Sequence, residues 1–496
     1  MKTKPGRKAL TVLIAAALAL AVMLPSPRGL AAGSSSVTVL HADYAANIYN
    51  NDYSTFSHPV NSYVYEDSSG TVVCQYIPGT GFVARGFDAE GTQVRQFVAE
   101  EELSYFGGFY CGKNYNFIVW GQANKRERSD IEVLRVVKYD KGWVRLAACS
   151  VRGANSSDVF TAGSCAMTEA EDELTIHTCH YMYAIDGVNH QANMTFVVSI
   201  PTMTYKRGFY DVGSVSQNGY VSHSFNQLIS TDGTYIFRAD HGDAMPRAVT
   251  LVRSVAGQSV TAIDFALVFP IGGKYSADPT GVSIGGLALS KDNCLIAGAS
   301  VAQNALTYNC NGQKNVFVTV TDKGLKSTSV KYLTNHAEGS AVYVSTPQIA
   351  ALDTDAFAVF WDETPPGGGT RTCVQVIDGN GAALSPIHYD TDIRLSDCRP
   401  VLTSDGLLTW FASWSIGDSV QTTLFKLALS YSGASSGAGD VDFDGYVTAG
   451  DARFVLRCAI GLELFDETHV IKGDLDGDGE LTAQDARLVL RKALGL

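Results

Sequence analysis

Apolar and polar residues alternate in short runs through most of the chain. Between residues 33 and 431, runs rich in Val, Ile, Phe, Tyr and Thr are separated by turns that contain Gly or Asp. Such alternation is typical of strands with one buried face, and hardly any stretch of this region shows the helical period of 3.6 residues. The pattern therefore predicts an all-β body.

One unit recurs along this body. It consists of an apolar stretch, a turn with Asp or Gly, and an alternating strand that often ends in an aromatic residue. The copies are roughly 50 to 60 residues apart, which leaves room for four strands and their loops in each unit. This spacing predicts a seven-bladed β-propeller, with six or eight blades as alternative counts and an array of β-sandwiches as the alternative architecture. The seven copies are Tyr65–Cys74, Phe109–Trp120, Ala166–Ile176, Leu228–Phe237, Leu287–Ala297, Ala350–Trp361 and Pro400–Trp410.

The order of strands within a unit predicts where ligands bind. The last unit is one strand short, so we expect Val37–Leu40 to supply that strand and to close the ring. We expect the Asp/Gly turn to join the first and second strands. The second strands then end at the opposite face, where propellers usually bind ligands. The comparable positions at that face are Gln122, His180, Asp240, Asp362 and Trp414.

The pattern changes in the tail, residues 440–496. The same twelve-residue loop occurs twice, at Asp440–Asp451 and Asp474–Asp485, and each copy runs into a helical apolar period. Glycine at position 6 allows a sharp turn, and oxygen-bearing side chains recur at the positions that ligate calcium in EF-hand-like loops. The sequence predicts two Ca²⁺ ions. The predicted ligands are Asp440, Asp442, Asp444, Tyr446, Thr448, Asp451, Asp474, Asp476, Asp478, Glu480, Thr482 and Asp485.

The tail resembles a type I dockerin along its whole length. The loops that carry the resemblance read D-V-D-F-D-G-Y-V-T-A-G-D and D-L-D-G-D-G-E-L-T-A-Q-D. The resemblance implies a small all-α calcium-binding domain that docks onto a cohesin of a scaffolding protein, as in cellulosomes. It also implies that the cohesin is contacted by one of two pseudo-symmetric sets of residues. These sets are Ala449, Gly450, Leu456 and Arg457, or Ala483, Gln484, Leu490 and Arg491.

Two features of the tail leave its docking role open. The alternative role for Leu456 and Leu490 is to pack the two helices against each other. In addition, Ala-Gly and Ala-Gln stand where the family often has Ser-Thr, and so the type of cohesin is not determined.

The N-terminal segment and the linker predict the domain boundaries. Residues 1–32 have the pattern of a secretory signal peptide, with basic residues, an apolar run from Ala9 to Leu24 and small residues at Ala31–Ala32. We therefore expect a secreted protein that is not membrane-anchored and that associates with a scaffold or the cell surface. Residues 33–431 form the propeller domain, 432–439 form a Gly/Ser linker, and 440–496 form the dockerin.

Charge and cysteine content exclude several classes of partner and metal site. The formal net charge of −13 argues against nucleic acid and against an anionic membrane, because both require a basic patch. The ten cysteines include no Cys-x-x-Cys pair of the kind that binds zinc.

Two loops of the body carry unusual polar residues, at Arg238–Arg247 and Phe360–Gly369. Hydrolysis of an O-glycosyl bond uses two carboxyl groups across a pocket, and aromatic rings stack on sugars. One alternative is β-elimination from an acidic polysaccharide, with Arg247 or a bound cation neutralising the uronate and His241 assisting proton transfer. Another is that these residues only hold loops in place. The catalytic candidates are Asp240, Asp243, Asp362 and Glu363, and the substrate-binding candidates are His241, Arg247, Trp361 and Trp414.

The sequence as a whole predicts a secreted subunit that acts on plant or bacterial polysaccharide and hydrolyses O-glycosyl bonds. A polysaccharide lyase is the first alternative. A non-catalytic glycan-binding or structural propeller is the second.

Overall fold

The computed structural model describes most of the body and parts of the tail. The described residues are 34–40, 56–68, 70–88, 91–211, 219–274, 279–303, 308–416, 419–431, 439–441, 447–463, 467–476 and 478–494. The predicted signal peptide and residues 432–438 of the predicted linker lie outside them. Within these ranges, no helix has the length and apolar character needed to cross a membrane.

The body consists of antiparallel strands that follow one another along the chain. The first nine are β1 (Ser34–Leu40), β2 (Ser62–Asp67), β3 (Gly70–Ile77), β4 (Gly81–Phe87), β5 (Gln93–Ala99), β6 (Tyr105–Cys111), β7 (Asn116–Gly121), β8 (Glu132–Tyr139) and β9 (Arg145–Arg152). The next nine are β10 (Ser156–Val159), β11 (Cys165–Ala170), β12 (Glu173–Met182), β13 (Gln191–Ser199), β14 (Thr204–Phe209), β15 (Ser222–Thr231), β16 (Tyr235–Met245), β17 (Arg247–Val255) and β18 (Asp264–Pro270). The remaining strands are β19 (Val282–Leu289), β20 (Asn293–Ser300), β21 (Asn315–Asp322), β22 (Thr328–Tyr332), β23 (Tyr343–Val344), β24 (Gln348–Ala351), β25 (Ala356–Thr364), β26 (Arg371–Asp378), β27 (His388–Asp390), β28 (Val401–Leu402), β29 (Leu408–Ile416) and β30 (Ser419–Ala428).

The described strands form six sheets, so the number of sheets differs from the seven units predicted. Three four-stranded sheets contain β2–β5, β6–β9 and β19–β22, and a five-stranded sheet contains β23–β27. The nine-stranded sheet, β10–β18, contains two successive meanders, β10–β14 and β15–β18. These meanders are joined by a single pairing between Ala192 and Ser222. The difference arises because this pairing merges two consecutive repeat units into one sheet.

The sheets are arranged around an axis. Their first strands meet in succession, since β6 contacts β11, β15 contacts β19, and β24 contacts β28. The Phe109 amide donates a hydrogen bond to the Tyr63 hydroxyl at 3.1 Å, which links β6 to β2. Near the axis the strands approach so closely that a Cβ atom at Gly285 would lie 1.9 Å from the carbonyl oxygen of Pro347. The body is therefore a β-propeller, as predicted.

The N-terminal strand closes the ring. β1 pairs with β30 in antiparallel register, with Val37 opposite Phe425 and Leu40 opposite Thr422. The last sheet thus takes three strands from the end of the body and one from its beginning. The prediction that Val37–Leu40 supplies the missing strand is confirmed.

Strands in the middle of a sheet are buried, whereas the outer edge strand is exposed. Every residue of β4 and β7 is buried, because these strands lie between neighbouring sheets, whereas every residue of the outer strand β22 is exposed. Trp120, Trp361 and Trp410 are fully buried. Each large apolar side chain removed from water contributes about 1.5–3 kcal/mol, so packing between sheets is the main source of stability.

The described part of the tail is helical. It contains α1 (Ala449–Ala459), α2 (Glu467–Gly473) and α3 (Ala483–Ala493). Val455 of α1 and Val489 of α3 are fully buried in one apolar cluster with Val441 and Leu481. An all-α tail domain is therefore confirmed.

Candidate functional site

The Asp/Gly turns join first and second strands, as predicted. Between β15 and β16, the Asp232 carboxylate accepts hydrogen bonds from the amides of Thr234 and Tyr235, and Gly233 has a φ of 88°. The second strand of each sheet therefore ends at the opposite face, which we call the upper face. It is the face at which second and third strands are joined, at residues 78–80, 122–131, 183–190, 246, 301–303, 308–314 and 365–370.

Asp240 lies on β16 in the interior of the protein. Its side chain is fully buried, and Ser224 and Asn193 donate hydrogen bonds to its two oxygens at 2.7 and 3.0 Å. His177 Nε2 lies 3.2 Å from Oδ2. Burial opposes ionisation, but the histidine and these hydrogen bonds outweigh it and lower the pKa of Asp240. The carboxylate is thus held as an internal anion.

A buried polar network surrounds this carboxylate. His177 Nδ1 lies 2.9 Å from the Thr195 hydroxyl, which accepts a hydrogen bond from Arg238 at 2.6 Å. Arg238 also donates to the carbonyl oxygen of Val260. Because buried charges are stable only when they are paired and hydrogen-bonded, this network fixes how β12, β13 and β16 pack.

Asp362 is also buried, on β25. Thr372 donates a hydrogen bond to Oδ1 at 2.7 Å, and Oδ2 has no hydrogen-bond partner among the described residues. Burial raises the pKa of Asp362 to about 7, against the opposing effects of the Thr372 hydrogen bond and of Arg394. The Arg394 guanidinium lies 5.0 Å from the centre of the Trp414 ring, and Trp414 is partly buried. Two candidates, Asp362 and Trp414, therefore share Arg394 as a neighbour.

Glu363 and Trp361 point into the packing between sheets. The Glu363 carboxylate accepts hydrogen bonds from the Trp361 indole at 3.0 Å and from Arg371 at 2.9 Å, and His336 lies 3.0 Å away. Burial opposes ionisation, but these partners lower the pKa of Glu363. The Trp361 ring is fully buried, so in this conformation it offers no surface to a sugar.

The Arg238–Arg247 segment places three candidates side by side at the upper face. His241 is fully buried, and Nε2 lies 2.9 Å from the Thr280 hydroxyl. Burial lowers the pKa of His241 to about 4. Arg247 donates to the carbonyl oxygens of Gly272 at 2.7 Å and of Asp243 at 3.1 Å.

His223 is a member of this group that the sequence did not indicate. Its Nδ1 lies 3.0 Å from Asp243 Oδ1, and its side chain is 33% exposed, against 11% for Asp243. It lies in an irregular stretch of β15 with register shifts on both sides of Ser224, and its φ of 52° is left-handed. The residues around His223 show neither a turn motif nor a regular alternation of polar and apolar positions, so the sequence pattern does not mark it.

The predicted calcium ligands are partly described. Asp442, Asp444 and Tyr446 lie outside the described residues. In the second loop, the carboxylates of Asp474, Asp476 and Asp478 place ligand oxygens within 4.8 Å of one another. Partial desolvation and the neighbouring carboxylates raise the pKa of Asp476. Three converging carboxylates form a donor set that suits a hard divalent cation.

Equivalent capping boxes begin the two long helices. The Thr448 hydroxyl accepts from the Gly450 amide, and the Asp451 carboxylate accepts from the Thr448 amide at 2.7 Å. In the second repeat, Thr482 and Asp485 make the same bonds. The remaining oxygens of Asp451 and Asp485 accept amides from the start of their loops, at Val441 and Leu475. Each position-12 aspartate thus ties the loop to its helix.

The predicted cohesin contacts lie on the outside of the tail. Leu456 and Leu490 are 42% and 39% exposed, whereas the valines that precede them form the core between α1 and α3. Packing of the helices against each other is therefore not the main role of these leucines. All eight predicted residues are exposed: Ala449, Gly450, Leu456, Arg457, Ala483, Gln484, Leu490 and Arg491.

Comparison with known families and structures identifies the tail. Residues 438–494 match the family model of the dockerin type I domain. No curated protein sequence matches the chain.

Similar solved structures include the GH43 BlXynB protein from Bacillus licheniformis, with 9% identity over 63% of this chain and 67% of that one, and a TM-score of 0.30. The α-L-arabinanase of Penicillium chrysogenum complexed with arabinobiose has 11% identity over 68% and 99%, and a TM-score of 0.35. A PL25 ulvan lyase, described as a new family of polysaccharide lyase, has 10% identity over 63% and 77%, and a TM-score of 0.38. Likenesses this distant do not extend to activity.

Proposed function

We propose that the dockerin type I domain at residues 438–494 attaches this chain to a cohesin of an extracellular scaffolding protein, and that the propeller acts there in polysaccharide breakdown. The match to the dockerin family is the observation that carries this proposal. The polysaccharide assignment follows from the resemblance to dockerin-bearing subunits of cellulosomes.

Two calcium ions complete the dockerin in this proposal. The second ion is held by Asp474, Asp476, Asp478, Glu480, Thr482 and Asp485, and the first by the equivalent residues from Asp440 to Asp451. Bound calcium neutralises the clustered carboxylates. Without calcium the carboxylates within each loop repel one another. Metal binding and folding of the tail are therefore coupled.

The docking surface is formed by one or both of the exposed sets on α1 and α3. Each set offers an exposed apolar leucine next to an arginine, and arginine is enriched among the residues that contribute most of the binding energy at protein interfaces. Arg457 is held by an ion pair with Glu463 at 2.8 Å. Because the docking surface is formed by one or both sets, the test changes both sets together.

The test is capture of the full chain by immobilised type I cohesin in calcium. Replacing Leu456, Arg457, Leu490 and Arg491 together by alanine is expected to weaken binding by at least about 100-fold, because interface anchors contribute on the order of 2 kcal/mol or more each. Arg453→Ala, on the same helix α1, is the matched control and should bind normally. Unchanged capture of the fourfold variant would exclude this surface.

The upper face is the proposed polysaccharide site of the propeller. Hydrolysis of O-glycosyl bonds by the predicted carboxylates requires two of them to face one bond. Asp240, Asp362 and Glu363 are at most 1% exposed, and Asp243 is 8% exposed. A hydrolytic role for this set therefore needs a rearrangement on substrate binding.

Mass spectrometry of soluble products tests this part of the proposal. The calcium-loaded chain is incubated with a panel of plant and bacterial polysaccharides, and the masses of released oligosaccharides are measured. Products with added water indicate hydrolysis, and products with unsaturated ends indicate elimination. If the chain neither binds any polysaccharide nor releases oligosaccharides from one, the proposed role of the propeller is rejected.

A further inference from the structure

His223 and Asp243 form an accessible acid–base pair at the upper face. The imidazole is the more exposed partner, and the carboxylate lies 3.0 Å behind it at Nδ1. The backbone carbonyl of Asp243 is held by Arg247, which faces it in the register of β16 and β17. A carboxylate that fixes one ring nitrogen orients the other nitrogen for proton transfer.

The Arg247 guanidinium lies beside this pair. The described partners of the Arg247 guanidinium are the carbonyl oxygens of Gly272, Asp243 and Pro279 and the ring of Tyr308, with no carboxylate among them. Backbone carbonyls hold the side chain in place without neutralising it.

A second cation lies in the same region. Lys314, on the connection between β20 and β21, and Arg247, at the start of β17, both act electrostatically on the buried His241. Lys314 also lines a cavity of about 450 Å³ between residues 310–314 and 338–344, together with Gln313, Glu338 and Tyr343. The volume suits a few sugar rings. This cavity opens at the upper face, since residues 308–314 join β20 to β21.

Apolar rings complete the surroundings of the pair. Phe225 lies 6.2 Å from His223 and 6.2 Å from His241, measured between ring centres. Phe56, which is 60% exposed, packs edge-on against Phe225 at 5.0 Å. Exposed aromatic rings next to a polar pair are typical of sugar-binding surfaces.

From this arrangement we infer that the upper face cleaves polysaccharides whose sugars carry carboxylates, with His223 as the proton-transfer group and Arg247 and Lys314 as the cations that hold the carboxylate. The inference rests on the proposed polysaccharide role of the propeller and names its substrate class. His223 has the role that we predicted for His241 from sequence, because His241 is fully buried.

The reaction is a β-elimination. His223 removes the proton from the ring carbon that bears the carboxylate, and the electron pair of that C–H bond forms a double bond to the neighbouring ring carbon. The C–O bond to the adjoining sugar breaks, and the departing oxygen takes a proton from water. The hydroxide then recovers the proton from the imidazolium, so no water is consumed. The two cations stabilise the negative charge that develops on the carboxylate.

The first test uses the full chain with polygalacturonate, alginate and hyaluronan, and measures unsaturated ends by ultraviolet absorbance and mass. We expect at least one of the three to be cleaved. The carboxyl-reduced form of the cleaved polymer, which has the same linkage without the charge, should be resistant. Absence of unsaturated ends from all three polymers, or equal cleavage of the reduced form, overturns the inference.

The second test uses variants. His223→Gln is expected to lower kcat by at least about 100-fold, which is the usual contribution of a general base. Lys314→Ala should raise KM about tenfold, because a charged hydrogen bond contributes on the order of 1.5 kcal/mol. Asp243→Asn should lower kcat and leave KM unchanged, since it only orients the histidine. His190→Gln, an exposed histidine on the loop between β12 and β13, is the matched control.

The outcomes separate this inference from the proposed function. Cleavage of neutral polysaccharides with added water would retain the polysaccharide role and reject elimination. Full activity of a folded His223→Gln variant, judged by an unchanged circular dichroism spectrum, would reject His223 while leaving the substrate class in place. Failure to bind or cleave any polysaccharide would reject both.

Discussion

At the scale of single residues, burial separates the predicted catalytic groups into structural and accessible ones. Sequence spacing predicted Asp240, Asp362 and Trp414 at the ends of second strands. Asp362 and Trp414 lie near the ends of β25 and β29, whereas Asp240 lies in the middle of β16. The spacing carries no information on the direction or depth of a side chain. The side chains of Asp240 and Glu363 point inward and contact residues that are distant in sequence, Asn193 and His336. His223 was missed because no turn or periodic signal marks it.

Asp362 yields a prediction on stability. Its pKa is raised to about 7 in the folded protein, and so its stabilising protonated form is lost as pH rises from about 4 to 7. Asp362→Asn avoids this loss. We expect the variant to match the wild type at pH 4 and to be more stable by up to about 4 kcal/mol at pH 8.

The measurement is chemical unfolding of the propeller within the calcium-loaded chain at both pH values. Asp392→Asn, an exposed neighbour, is the control and should follow the wild type. If the difference in unfolding free energy between Asp362→Asn and the wild type is no larger at pH 8 than at pH 4, the raised pKa of Asp362 is contradicted.

At the scale of elements, local pattern predicted what depends on neighbours in sequence. Alternation predicted the strands, the Asp/Gly signature predicted the turn at Asp232, and the missing strand predicted that β1 closes the ring. Pairing between Ala192 and Ser222 joins two successive units, and no local signal indicates it. Loop repeats likewise predicted α1 and α3, because the capping residues are part of the loop pattern.

The capping boxes give a prediction at this scale. Thr482→Ala removes the hydroxyl that accepts from the Gln484 amide, which should cost about 1 kcal/mol of helix stability. The same residue is a proposed calcium ligand, so loss of the cap and loss of the ligand act in the same direction. We expect the calcium concentration at the midpoint of tail folding to rise severalfold. Arg487→Ala, exposed on the same helix, is the control. The midpoints of both variants are measured by calcium titration, with the helical circular dichroism signal as the readout. Identical midpoints for Thr482→Ala and wild type would show that the cap does not support the loop.

At the scale of the whole molecule, the chain combines a propeller with a docking module. The module could be identified from sequence because metal loops depend on a short, fixed spacing of oxygen ligands. The function of the propeller could not, since its site is assembled from loops of several sheets. The upper-face residues Asp243, Arg247 and Lys314 come from two strands and one loop and are up to 71 positions apart in sequence.

Calcium-dependent capture by cohesin tests the central claim most directly. The full chain is passed over immobilised type I cohesin with calcium and then with a chelator, while circular dichroism monitors the β-rich propeller. We predict tight binding in calcium, complete release by the chelator and an unchanged propeller spectrum. Failure to bind in calcium, or binding that survives the chelator, would contradict the assignment of this chain as a calcium-dependent, scaffold-docked subunit.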